Sequence, residues 1–199
     1  MLLAETRHAV PPWEEGHFIG GHPALDLTNT LFNRAEPAPD NELLKTGADV
    51  AAWCQSVGLV SPVQAAGLAA GGERLAAAVR RVREDSWAVF NAVAEGAALP
   101  KKALADLLRS AAAGALEHGL SFEDGVLELS PEGLGKPGAI PTALSLLALE
   151  ALFVLPKERI RACPRCGWLF VDGSKGGRRR WCSMSTCGNR EKARRHRAG

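Results

Sequence analysis

Four cysteines near the carboxy-terminal end constrain this chain more than any other feature. Cys163, Cys166, Cys182 and Cys187 follow the spacing C-x2-C-x15-C-x4-C and are four of the five cysteines in 199 residues. Two close thiol pairs separated by a hairpin-sized gap suit a tetrahedral zinc ion. Each pair supplies two ligands from one tight turn, and the chain between them folds back to bring the second pair to the metal. Gly167, directly after the second cysteine, gives the first turn the backbone freedom a knuckle needs. Other cysteine chemistries fit less well. Two disulfides would staple this segment alone, and no secretory leader is visible. A redox C-x-x-C would leave the second pair unexplained. An iron–sulfur cluster also takes four thiols, but the Cys-Pro-x-Cys-Gly turn and the x4 pair favour zinc. The expectation is one structural Zn2+ held by these four residues. Four thiolates leave no open coordination position, so no chemistry is expected at the metal.

The charge is divided as sharply as the cysteines. The chain as a whole carries +2, but residues 157–199 hold 13 Lys/Arg against 3 Asp/Glu, while residues 1–156 hold 11 against 19. Even with four thiolates on a zinc, the terminal segment stays strongly basic. A basic segment on an acidic body points to a polyanionic partner for that segment alone. The longest apolar run, residues 139–155, is interrupted by Pro141, Ser145 and Glu150 and reads as a buried helix, not a membrane span. Reduced thiols and the absence of a span place the chain in the cytoplasm, with no membrane partner.

The patterning before the cysteines is mainly helical. Residues 17–23 read as a short strand-like piece broken by glycines, and 24–33 as a helical or part-helical segment with one apolar face. Residues 35–41 form a proline-rich loop. Helices are expected over 49–57, from Ser61-Pro62 onward, over 73–95, over 101–116 and over 142–155. Residues 120–129 alternate around Glu123-Asp124-Gly125 and read as a β-hairpin. The cluster Arg80, Arg81 and Arg83, followed at once by Glu84 and Asp85, reads as a solvated helix face. Cys54 reads as a small buried thiol.

Within the terminal segment, residues 160–162 form a candidate strand leading into the first knuckle. Residues 168–171 and 178–181 flank a glycine-rich turn as a second hairpin, and a helix starts after Cys187. Knuckle, hairpin, knuckle and helix make a treble-clef-like finger, with Trp168, Phe170 and Trp181 as its small core. Arg190, Arg194 and Arg197 stripe one helix face, with Lys192 and Arg195 beside them; Glu191 can pair with Arg195. Lys175, Arg178, Arg179 and Arg180 lie just before the third cysteine. These nine cations are the candidate nucleic-acid contacts, guanidinium groups being suited to phosphate and to guanine edges.

The run Arg179-Arg180-Trp181-Cys182 with Cys187-Gly188-Asn189-Arg190 resembles the CGNR zinc finger of proteins classed as bacterial transcription regulators. In that family the finger follows a module called the ABATE domain. The stretch Gly21-His22-Pro23-Ala24-Leu25-Asp26-Leu27-Thr28-Asn29-Thr30 resembles that module's opening, and Ala51-Ala52-Trp53-Cys54 with Gly58-Leu59 is similar to it further on. The resemblance implies a bacterial origin and a sensory or interaction role for the first part of the chain, acted on by a small-molecule or protein effector.

The composite expectation is an α+β chain. A mainly helical ABATE-like domain with a small β-hairpin spans 1–155, and the treble-clef-like finger spans 156–199. Asp26 and Asn29 are the candidate pocket residues, with Thr30, His17 and His22 nearby. No Ser/His/Asp arrangement, phosphate-cradling loop or paired-carboxylate signature is apparent, so an enzyme is not expected. Duplex DNA is the expected partner in transcription regulation. An RNA-binding or protein-interaction adaptor is the alternative, and a short finger would gain specificity by forming a homodimer.

Overall fold

The computed structural model describes residues 9–36, 38–118, 120–123, 126–129 and 131–198. Helix α1 (Pro23–Thr28) starts where His22 is extended and its Nδ1 accepts the Ala24 N–H at 3.1 Å, with Pro23 in the first turn. All six of its residues are buried. Helix α2 (Gly47–Ser56) opens on a capping box of Thr46 and Asp49, and α3 (Pro62–Ala69) on one of Ser61 and Gln64. Helix α4 (Gly72–Glu95) is the longest and ends where Gly96 turns left-handed at φ 65°. Residues 17–23 form no strand; a single 3-10 turn and the start of α1 take their place.

Helix α5 (Lys101–His118) is followed by strands β1 (Leu120–Glu123) and β2 (Val126–Leu129), antiparallel with Leu120 opposite Leu129. The hairpin is the one expected; its turn residues 124 and 125 lie outside the described residues. A short α6 (Pro131–Leu134) leads to α7 (Ala139–Val154), whose first turn holds Pro141, where a missing N–H costs nothing. Helices α5 and α7 lie so close that a Cβ on Gly114 would sit 1.7 Å from Thr142 Oγ1.

The main core is formed by the apolar stripes of these helices: Val50, Trp53, Leu75, Val79, Phe90, Leu107, Leu144 and Leu147 are all buried. Cys54 lies fully inside it, and burial pushes its thiol up to about 12. One charged side chain departs from expectation. Arg83 is only 3% exposed, and its guanidinium donates to both Glu42 oxygens at 2.6 and 2.7 Å. It is a buried ion pair tying α4 to the loop before α2, not a solvated residue, because the residues brought to it by the fold include a carboxylate far away in sequence.

The terminal segment begins with β3 (Ile160–Ala162), paired antiparallel with β4 (Leu169–Val171). This corrects the expected strand pairing. The first knuckle is the turn of the β3–β4 hairpin, and residues 178–181 form no strand. The physical reason lies in Asp172, 1% exposed, whose carboxylate accepts the N–H groups of Ser174 at 2.9 Å and Arg179 at 2.8 Å. It curls the glycine-rich stretch into a loop and removes the Arg179 N–H from any ladder. A π-helical turn, Met184–Gly188, then leads directly into α8 (Asn189–Ala198).

Candidate metal centre and cationic face

In the β3–β4 turn the Cys163 N–H donates to the Trp168 carbonyl at 2.8 Å, and the Gly167 N–H to the Cys163 carbonyl at 2.9 Å. Gly167 has φ +74°, and a Cβ there would meet Arg34 Cβ at 2.9 Å, so glycine serves both the turn and the close approach of the body. Of the second pair, Cys182 lies just before the π turn and Cys187 within it, just ahead of α8. The four Sγ atoms, all buried, lie within 4.8 Å of one another. Cys166 and Cys182 are 3.5 Å apart, and Cys182 and Cys187 3.6 Å. A tetrahedral zinc with Zn–S of about 2.3 Å spaces its sulfurs about 3.8 Å apart. The donor set therefore fits one structural zinc ion. Hydrogen bonds from Cys166 and Cys182 pull the Cys163 thiol down, and sharing with Cys163 pushes Cys166 up. Metal binding takes the ligands as thiolates and releases their protons.

Trp168, Phe170 and the four cysteines form a second buried cluster, with Trp181 and Ile19 packed on it, so the expected finger core is present. Trp168 Nε1 donates to the Leu31 carbonyl at 2.8 Å, which holds this ring in the interior and away from any base. The finger is also fastened to the helical body. Asn29 makes two hydrogen bonds with Leu169: its Nδ2 donates to the Leu169 carbonyl at 2.9 Å, and its Oδ1 accepts the Leu169 N–H at 2.8 Å. The side-chain amide thus pairs with β4 as a peptide of a third strand would. One residue pair along, the Val171 N–H donates to the Gly20 carbonyl at 2.8 Å, and the Gly20 N–H donates to Asp26 Oδ1 at 2.7 Å. Asp26 and Asn29 are 0% and 1% exposed. The two candidate pocket residues are committed to holding β4 directly or through Gly20. Thr30 donates to the Leu27 carbonyl, and His22 caps α1. Trp87 on α4 donates to the Gly167 carbonyl at 3.2 Å, and the Arg34 guanidinium lies 4.9 Å over its ring.

The nine candidate cations divide into two groups. Arg179 is half-buried, stacks 4.5 Å over Phe170 and donates to the carbonyls of Trp181 and Cys182; it braces the loop between the cysteine pairs. Arg194 and Arg195 both donate to Glu191, at 2.9 and 3.2 Å, and Arg165 of the first knuckle approaches the same carboxylate at 3.9 Å. Arginine donation holds Glu191 down to about 2, so it stays charged. Lys175, Arg178, Arg180, Arg190, Lys192 and Arg197 are all exposed. Arg180 lies 4.9 Å over the Trp181 ring, which orients it without removing it from solvent.

The family model described as "Putative stress-induced transcription regulator" matches residues 21–158, and the CGNR zinc finger matches 159–198. The chain belongs to this family. The family description and the finger together support a regulator role, and the resemblance carried by residues 21–30 and 178–190 holds along the whole matched length. No curated protein matches the chain. No described helix is long and apolar enough to cross a membrane.

One cavity lies on the helical body of this family member and another lies beside the finger. The larger, about 820 Å³, lies along α4, α5 and α7 and is lined by charged groups of both signs. Burial first, and repulsion from Asp106 second, push Asp85 there above the usual carboxylate range. Ser110 and Ser145 on its wall both donate to the Pro141 carbonyl, and neither cysteine nor histidine lines it. The smaller, about 390 Å³, lies between the finger and the 14–19 and 32–36 segments. Asp26 and Asn29 line neither. Sequence reasoning missed the residues that join finger to body: Trp87, Arg34 and the strand-like use of Asn29. Trp87, a large ring with an N–H donor on the apolar stripe of α4, was the available signal.

Proposed function

We propose that the protein is a DNA-binding transcription regulator of the bacterial cytoplasm. Residues 156–199 contact the DNA, and residues 1–155 receive an effector or partner. The observation that carries this reading is the set of six exposed cations, Lys175, Arg178, Arg180, Arg190, Lys192 and Arg197, on a finger whose fold is fixed from inside by a four-thiol cluster. Rigidly carried guanidinium groups lose little conformational freedom on meeting phosphates. Arg180 and Arg190 flank the second cysteine pair in sequence, so the metal that fixes the pair also fixes them.

Binding of zinc-loaded full-length protein to duplex DNA, single-stranded RNA and an acidic protein, followed over a salt series, tests this. Six phosphate contacts give a log K against log salt slope of about −5 on duplex DNA. Preference for single-stranded RNA or for the acidic protein would assign the chain to the adaptor class. Sedimentation of the free and DNA-bound protein tests the homodimer that a short finger calls for.

A further inference from the structure

The 390 Å³ cavity sits where the finger meets the 14–19 and 32–36 segments of the body, and its walls are chemically divided. Its apolar side is Ile19, Phe32 and Trp168, the two rings meeting edge to face at 5.9 Å. Phe32 is 40% exposed, unusual for a phenylalanine beside a buried tryptophan. The finger side carries two cations, Arg165 and Arg190, with Ser183, Ser185, Thr186 and the cysteines Cys166, Cys182 and Cys187; Glu14 and Glu36 line the body side, Glu36 accepting from Asn33 at 3.1 Å. Arg190 has no side-chain partner among the described residues. His17 completes the far wall; its Nδ1 accepts the Glu14 N–H at 3.0 Å, which leaves the neutral ring's proton on Nε2 as a donor. Apolar rings with guanidinium donors on the finger side suit a ring with an acid group, which Glu14 and Glu36 direct toward the arginines and away from the body side.

We propose that this cavity is an effector site for a small aromatic carboxylate, with the ring against Phe32 and Trp168 and the carboxylate on Arg190 and Arg165. The inference deepens the regulatory reading and rests on it for its consequence. Arg190 is one of the six cations assigned to phosphate, so a carboxylate there competes with DNA for the same guanidinium. Linkage makes the antagonism mutual: the ligand weakens DNA binding by the same factor that DNA weakens ligand binding. Losing one charge-assisted contact corresponds to about a tenfold change in DNA affinity.

The test uses zinc-loaded full-length protein and two probes, indole-3-carboxylate and its neutral amide. Calorimetry without DNA reads the site by itself, independently of whether the finger binds DNA. Saturable binding of one acid per chain, absent for the amide and weakened about tenfold in Arg190→Ala, is the expected result. Gly16→Phe blocks the site with no charge removed, because a Cβ at Gly16 meets nothing within 4 Å, and it should abolish binding while leaving the thermal midpoint in place. No binding at millimolar acid, equal binding of acid and amide, or binding indifferent to both substitutions overturns the site. If the acid binds as expected but leaves DNA affinity unchanged, the coupling through Arg190 is refuted while the cavity assignment stands. If DNA does not bind at all, the regulatory reading fails separately.

Discussion

The helical body and the finger reach stability by different routes, and a single three-residue strand belongs to both. The body buries long aliphatic stripes against one another, with Arg83 and Glu42 as a charged cross-tie. The finger has too little apolar surface for that; its interior is four sulfurs, Trp168 and Phe170. Strand β4 has side chains on alternate faces, as any strand does. Leu169 and Val171 pack into the body core, whereas Phe170 packs into the cysteine cluster. The edge of β4 away from β3 is closed by Asn29 and the Gly20 carbonyl, both from the body. Strand β4 therefore contributes side chains to both clusters, and the segment that fits a zinc ion is hydrogen-bonded directly to the helical body.

That contrast can be broken most severely at the metal. Cys187→Ser should lower zinc from one ion per chain to none and melt residues 172–198, because structural zinc supplies on the order of 10–16 kcal/mol to such fingers. Far-ultraviolet circular dichroism should retain most of the helical signal of the body. Loss of all helicity would mean that the body depends on the metal too.

Adjacent residues of β4 provide the sharpest comparison. Leu169→Ala should destabilise the body by about 3 kcal/mol in urea unfolding, with zinc affinity little changed. Phe170→Ala should do the reverse, weakening zinc retention against a chelator while the body's unfolding midpoint holds. Asn29→Ala removes both partners of the Leu169 peptide in a buried setting and should cost about 2–4 kcal/mol. If it proves neutral, the side-chain clamp is not part of the joint.

Charge variants act on the finger's outer face and should be milder for stability. Arg190→Ala with Arg197→Ala should weaken DNA binding and flatten the salt slope by about 2. Glu191→Gln should do the opposite, since it releases Arg194 and Arg195 for phosphate. The smallest expected effect comes from the Arg34–Glu84 pair. Partial burial alone would raise the Glu84 pKa, but hydrogen bonding and charge from Arg34 hold it below the usual 4.5. A carboxyl depressed in the folded state contributes stability above its unfolded pKa and loses it as pH falls through the lower folded value. The difference in urea midpoint between wild type and Glu84→Gln should thus be constant near neutrality and shrink below about pH 4.5.

Much of this was legible in the residues. The cysteine spacing identified the metal cluster because knuckle chemistry is local, and the long helices announced themselves through apolar period, caps and closing glycines. Arg83 reads as a surface residue because its partner Glu42 lies 41 residues away, beyond the reach of a local pattern. Residues 178–181 read as a strand because the periodicity does not show Asp172 taking the Arg179 N–H within the loop. Asp26 and Asn29 read as candidate pocket residues, and in the structure they are buried and line neither cavity described. Their purpose, to present a strand-like edge to a chain 140 residues later, depends on a contact no local pattern encodes.

Amide hydrogen exchange on the full chain, with zinc bound and after chelation, addresses the shared strand most directly. Chelation should expose the amides of residues 183–197 by orders of magnitude, while Leu169 and Val171, bonded to Asn29 and Gly20, keep protection close to that of α4. Simultaneous loss of protection in β4 and α8 would contradict this and make the finger an independent unit resting against the body.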